Sequence, residues 1–425
     1  MKIRILFLCF AFWTSVLNAE NVLRFRGENS QGKYEETGLL PIWPEEGLEP
    51  KWVAEELGAG WSSVIKVGSR LYLNSTDAND RKMESVICLD LDGNKLWQTT
   101  TGAAWTGSYP EARMTPTYVP RTKSRNARIV VLTGNGEVVC LAAATGKIVW
   151  KKNVAEIYGT RFGRWGMCES PIVRRGTIFL TVCGEKASVV ALSVVDGSVV
   201  WEAEPVDGQG AYVTPILFEN QLIAMTAERV FGVDIRDGKL LWQDDYQSRA
   251  GDHFGSGINC NTPLLRGNRF FVTGGYDQLG VMYEILPNAE GVKVVWTSEA
   301  LDIHHGNAVE VEGRIYGSNW LNNSTGNWVC LDWETGETIY EEPWERLGKG
   351  TVIYADGRLY LYEEKRGTLG LAIPDDRLNV VSSFRVTFGT QQHWAHPVIC
   401  DGILYVRHGT SLAAFDIRQE GKEKT

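Results

Sequence analysis

Adjacent cysteines are absent from this 425-residue chain, and so is any CxxC pair; eight cysteines are scattered singly. That spacing excludes a zinc ribbon or a dithiol redox centre. With Cys9 in a leader segment, an odd number remains, which argues against a fully paired disulfide framework. Histidine is scarce, with six residues, and basic residues are outnumbered 43 to 52 by acidic ones. The acidic balance excludes nucleic acid as the expected partner. Beyond the leader, no apolar run approaches the roughly 20 residues of a membrane helix, so no transmembrane segment is expected.

The leader runs from a basic start (Lys2, Arg4) through an apolar stretch, Ile5 to Leu17, to the small residue Ala19. This reads as a signal peptide over residues 1–19, cleaved after Ala19, and predicts a soluble periplasmic or secreted protein. Cys9 follows Leu8, where lipid-modification signals want a small residue, so a lipid anchor is not expected.

What the chain has in quantity is one unit. Val138 to Trp150, VVCLAAATGKIVW, is an apolar strand, a Thr-Gly turn, a second apolar strand and a closing tryptophan. The closing residue recurs as Trp52, Trp97, Trp150, Trp201, Trp242 and Trp296, with Tyr340 and Phe384 as weaker versions, about 40–55 residues apart. Asp-Gly and Thr-Gly steps supply the positive φ of tight hairpins, and β-branched flanks favour strands. Upstream of each unit lie two more strands, such as MTPTYVP and RIVVL before the tail at Trp150. Four strands in each of eight units predict an all-β, eight-bladed propeller of four-stranded antiparallel blades.

The last unit supplies three strands, ending in SLAAFDI at Ser411 to Ile417, while Trp52 sits on an orphan one. The N-terminal strand is therefore expected to complete the last blade and close the ring, leaving no open edge. The domain reading is an N-terminal extension over 20–49, one propeller over 50–418 and a charged tail over 419–425. Asn21 to Gly60 is too rich in Gly, Pro and Glu to be packed throughout. Cys88, Cys140 and Cys330 share one repeat position with Ala191 and Gly232, which marks them as small buried strand residues.

The A-x-D-x-x-T-G-x-x-x-W type of repeat, as in AAATGKIVW, resembles that of the pyrroloquinoline-quinone (PQQ)-like propellers, which include quinoprotein dehydrogenases and BamB-like envelope assembly lipoproteins. The resemblance covers Trp52 to Arg418 and is greatest to the secreted, single-domain type. It implies that the repeat tryptophans pack between neighbouring blades.

The inner strand of each propeller blade lines the central channel, and ligands are expected where these strands begin. The eight starts offer Trp61, Arg113, Glu169, Tyr212, Asn261, His305, Lys349 and His396. His304, His393 and Trp394 lie beside them, and four of the six histidines gather at two equivalent points. His393 and His396, three apart on an extended strand, should face different ways, which disfavours a shared metal. Long blade connections add Trp105, Tyr109, Arg161, Arg164, Trp165 and His253, side chains suited to a planar or sugar-like ligand. The residues therefore predict a funnel for a small polar ligand or a protein segment in a monomer, with Glu169, His304, His305 and His396 as candidate acid–base groups. Solvation of a water-filled channel would explain the same polarity.

The resemblance also implies an alternative, a PQQ- and calcium-dependent alcohol or sugar dehydrogenase, in which Glu169, Asn261 and Asp302 are the candidate calcium ligands. The missing cysteine pair departs from that pattern. A third reading, an envelope assembly scaffold, would use blade edges and loops.

Overall fold

The computed structural model describes residues 21–251 and 257–419. The expected signal peptide, His253 and all but the first residue of the expected charged tail lie outside the described residues. Eight antiparallel blades of four strands form a closed ring. The blades span 65–103, 117–153, 172–202, 216–245, 264–298, 309–342, 350–385 and 398–416, numbered here one to eight. Blade eight takes its outermost strand from the other end of the chain, Trp52–Ala54 pairing antiparallel with Leu412–Ala414. The expected closure is thus observed.

The two middle strands of each blade are buried on both faces, as in Ile129–Leu132 and Val138–Leu141. Neighbouring blades cover both sides, which is why these strands read as continuous apolar runs. Outer strands such as Ile148–Asn153 are largely exposed.

The repeat tryptophans hold the blades together. Trp52, Trp97, Trp150, Trp201 and Trp296 each stand over the turn glycine of the next blade: Gly93, Gly146, Gly197, Gly238 and Gly336. At Gly197, with φ +72°, a Cβ would lie 2.8 Å from the Trp150 ring. Indole N–H groups complete the contact, Trp150 donating to Val194 O and Trp201 to Ile235 O, both at 3.0 Å. Trp242 is the exception. Blade five turns through Pro287–Ala289 instead of a Thr-Gly step, and Trp242 donates within its own blade to Gln221 Oε1 at 2.8 Å. Across each strand pair the ring faces a position that is usually small: Cys88 opposite Trp97, Cys140 opposite Trp150, Ala191 opposite Trp201 and Gly232 opposite Trp242. Those cysteines are buried and free.

Residues 22–36 of the N-terminal extension pack against the inner strands of the ring, using side-chain bonds more than regular structure, while Trp43 lies on the outer strand of blade seven. Val22 pairs with Lys66 of blade one, and Leu23 O accepts from Tyr118 N of blade two. The Asn29 side chain exchanges two 3.1 Å bonds with the Leu217 backbone of blade four, and Gln31 accepts from Leu265 N of blade five at 2.7 Å. Arg26 donates to Ala308 O of blade six at 2.6 Å, and Lys33–Tyr34 runs parallel to the inner strand of blade seven. Glu36 accepts from Asp401 N and Gly402 N of blade eight. Composition hid this packing, because the segment satisfies inner-strand edges one polar side chain at a time.

Candidate functional site

Each inner strand starts at one face of the ring and ends near the N-terminal segment. That segment gives the channel a floor, so the funnel is a cup of about 600 Å³. Phe25 forms part of the floor, and behind it Arg26 is 1 % exposed.

The wall is aromatic and cationic. Trp61, Trp394 and Tyr109 form a mutual cluster, with ring centroids 4.7 Å apart for Trp61–Trp394 and 5.4 Å for Tyr109–Trp394. Trp165 packs edge-on to Tyr212 at 5.2 Å. Among the described residues, Arg113, Arg164 and Lys365 line the cavity against one carboxylate, Glu364. The cup is therefore basic in an acidic protein. Arg113 donates to the carbonyls of Ser108, Tyr109 and Trp165, knitting two long blade connections, and its charge stays beside Trp61. Helix Val154–Tyr158, capped by Asn153, begins one of those connections.

His304 and His305 sit on a bend rather than an extended strand, so their rings face one another with centroids 4.3 Å apart. His304 Nε2 lies 2.9 Å from Tyr276 Oη, while its Nδ1 has no hydrogen-bond partner among the described residues. His305 Nε2 stands 3.4 Å from Glu364 Oε2 without hydrogen-bond geometry. The other carboxylate oxygen accepts from the buried ammonium of Lys349 at 2.5 Å. Burial first, then the Lys349 charge, lowers His305 to about 3; burial and His305 hold His304 further below its ordinary value. Both imidazoles are neutral near pH 7.

Trp61, Arg113, Arg164, Trp165, His304, His305, Trp394 and His396 thus converge on the cavity. Lys349 lies one residue behind it. His393 lies outside: its Nδ1 meets Tyr362 Oη at 2.5 Å and its ring stacks on His408 at 3.6 Å. His396 turns the other way, to Arg26, the chain bending at Ala395 between the two histidines. Glu169 faces a separate void of about 10 Å³, room for one water; burial raises its carboxyl to about 8.

The candidate calcium ligands do not gather. Asn261 spends its side chain on Asn307 N, Ile303 O and Thr273 O. Asp302 accepts from Trp320 N at 3.0 Å and Asp277 N at 2.9 Å, and Glu169 accepts from Thr181 N at 2.8 Å. Calcium takes six to eight oxygens, and these three residues do not fit such a centre.

Sequence reasoning missed Phe25, Tyr276 and Glu364. A second strand returns to the face where the first began, so the loop after it also borders the mouth. Tyr276 and Glu364 stand at such returns, a signal present in the four-strand pattern itself.

Solved structures similar to the chain share this ring. BamB from Moraxella catarrhalis matches at TM-score 0.60 and 13% identity over 88% of this chain and 99% of that one. A europium-containing methanol dehydrogenase matches at 0.65 and 12% over 92% and 90%, and the quinohemoprotein alcohol dehydrogenase from Comamonas testosteroni at 0.64 and 11% over 95% and 82%. Identities this low carry the fold alone. No curated protein matches the chain. The family described as outer membrane protein assembly factor BamB matches residues 82–319, more than half of the sequence, and this PQQ-like propeller belongs to it.

Proposed function

We propose that the cup binds a small, polar, anionic ligand with a planar or sugar-like face, such as a sugar acid, in a monomeric periplasmic or secreted protein. The observation that carries this reading is the floored cavity of about 600 Å³, in which aromatic faces stand beside Arg113, Arg164 and Lys365. Rings provide apolar contact with flat ligand faces, and guanidinium groups provide paired donors for carboxylate. A concave site of this size suits a small molecule. The basic start and apolar run before Ala19 support export.

Calorimetric titration against neutral sugars, sugar acids and aromatic carboxylates tests the reading. Binding of an acidic member, weakened about tenfold or more by Trp394→Ala or Arg164→Ala, is expected. A panel without binding, or binding indifferent to both substitutions, would reject it.

One observation favours a second reading, a scaffold for a protein partner. Leu96, Ile148, Val149, Val195, Val199 and Val200 are exposed on the outer strands and turns of three successive blades. Apolar exposure repeated on neighbouring blades suits a protein contact. Partner capture abolished by Val199→Asp with Val200→Asp, but unaffected by Trp394→Ala, would favour that reading over the cup.

A further inference from the structure

We propose that the cup wall carries a metal site in which Nδ1 of His304, Nε2 of His305 and Oε2 of Glu364 bind one divalent transition-metal ion. The proposal deepens the ligand-cup reading and rests on it only for the cavity onto which the ion would open. One donor atom from each of these residues lies within 4.8 Å of the other two. A tetrahedral ion about 2.0–2.1 Å from its ligands needs donors about 3.3 Å apart. His305 Nε2 and Glu364 Oε2 already stand at 3.4 Å.

Both histidine donors are orphaned, although their surroundings are polar. Among the described residues, Nδ1 of His304 and Nε2 of His305 are buried without hydrogen-bond partners, whereas buried polar atoms are nearly always paired. The outer contacts are those that a ligand set uses. Tyr276 Oη meets the far nitrogen of His304, and in the tautomer whose Nε2–H donates to that oxygen the lone pair lies on Nδ1. Lys349 takes Oε1 of Glu364 and leaves Oε2 turned toward His305. The bend at His304 and His305 brings successive rings to one side, which an extended strand could not do. Two imidazoles and one carboxylate suit zinc, cobalt or ferrous ions. All three residues line the cavity, so the remaining coordination positions open toward the aromatic cluster and the arginines.

Cobalt(II) is the probe. Titrated into the chelator-treated full chain with no organic ligand present, it should bind at one equivalent and give visible d–d absorption that zinc abolishes. Glu364→Gln keeps the side-chain shape and an oxygen for Lys349, and it should remove the absorption; His305→Ala should do the same. Tyr276→Phe should weaken binding about 10–100-fold, and His393→Ala, outside the cup, should leave it unchanged. Melting curves establish that each variant is folded. Absence of cobalt binding, or absorption that survives both Glu364→Gln and His305→Ala, would overturn the site. Since no organic ligand is added, a failed sugar-acid panel with an intact cobalt signal rejects the ligand reading alone.

Discussion

Nδ1 of His396 lies 2.9 Å from the buried guanidinium of Arg26, across 370 positions of sequence. Arginine can only donate, so this nitrogen accepts and the ring carries its proton on Nε2. Burial, then the Arg26 charge, holds His396 well below its ordinary pKa. One hydrogen bond thus joins the floor of the cup to its last blade and fixes the histidine as neutral.

Arg26→Met should lower stability by about 3 kcal/mol, because Ala308 O, Val352 O and His396 Nδ1 all lose a charged donor in a buried setting. Thermal melts and hydrogen exchange at the inner strands check this. An unchanged melt would mean that the floor is not coupled to the ring.

Arg407 plays the corresponding part at the closing seam. It is 2 % exposed and bonds Ser62 O, Asn74 O and Ser75 Oγ of blade one and its approach, as well as its own Gly409 O. Arg407→Met should cost about 3 kcal/mol or more. Deletion of residues 21–53, which removes floor and closing strand together, should abolish cooperative unfolding altogether, as circular dichroism would report.

Gly197→Ala places a methyl group against the Trp150 ring at a backbone φ of +72°. A loss of about 1–2 kcal/mol is expected, read as a lower melting temperature. The blade-five turn lacks this contact, so Gly291→Ala, with no atom closer than 3.8 Å to the added carbon, should cost only the strain of its positive φ.

The pH profile has two opposing sources. Burial first lowers His393, to about 3, as it does His305, and His304 and His396 move the same way. The unfolded chain protonates all four near pH 6.5 while the folded chain stays neutral, so these groups lose stability as pH falls from about 6.5 toward 3. Burial raises Glu84 and Asp302 to about 7 and Glu169 to about 8. Those carboxyls lose stability as pH rises from about 4.5 through 7 to 8. Melting temperature should therefore change little between about pH 4.5 and 6.5, drop below it, and decline toward pH 8. Glu169→Gln should flatten the alkaline side in a scan from pH 3 to 9.

The ring was legible because its cause is periodic. Tail aromatics, Thr-Gly turns and doubly buried middle strands repeat, and even the split blade follows from a missing strand at one end and a spare one at the other. Much of the mouth was legible for the same reason, since Trp61, Arg113 and His396 stand two to four residues before the inner strands of their blades. The floor was not, because Arg26, Asn29 and Gln31 act once each, through contacts hundreds of residues away. Glu364 escaped for a different reason: it follows a second strand rather than opening an inner one, although the return of that strand to the mouth is itself part of the repeat.

The strand pair Trp52–Ala54 with Leu412–Ala414 also sets a timetable. At about 5–20 residues per second during synthesis, Trp52 emerges tens of seconds before Ala414 exists. Until then the outer strand has no blade to join, the floor lacks its blade-eight partners, and seven finished blades form an open arc. Chains halted in blade eight should therefore be recognisable to proteases as incomplete, so the final few dozen residues act as the checkpoint for the whole ring.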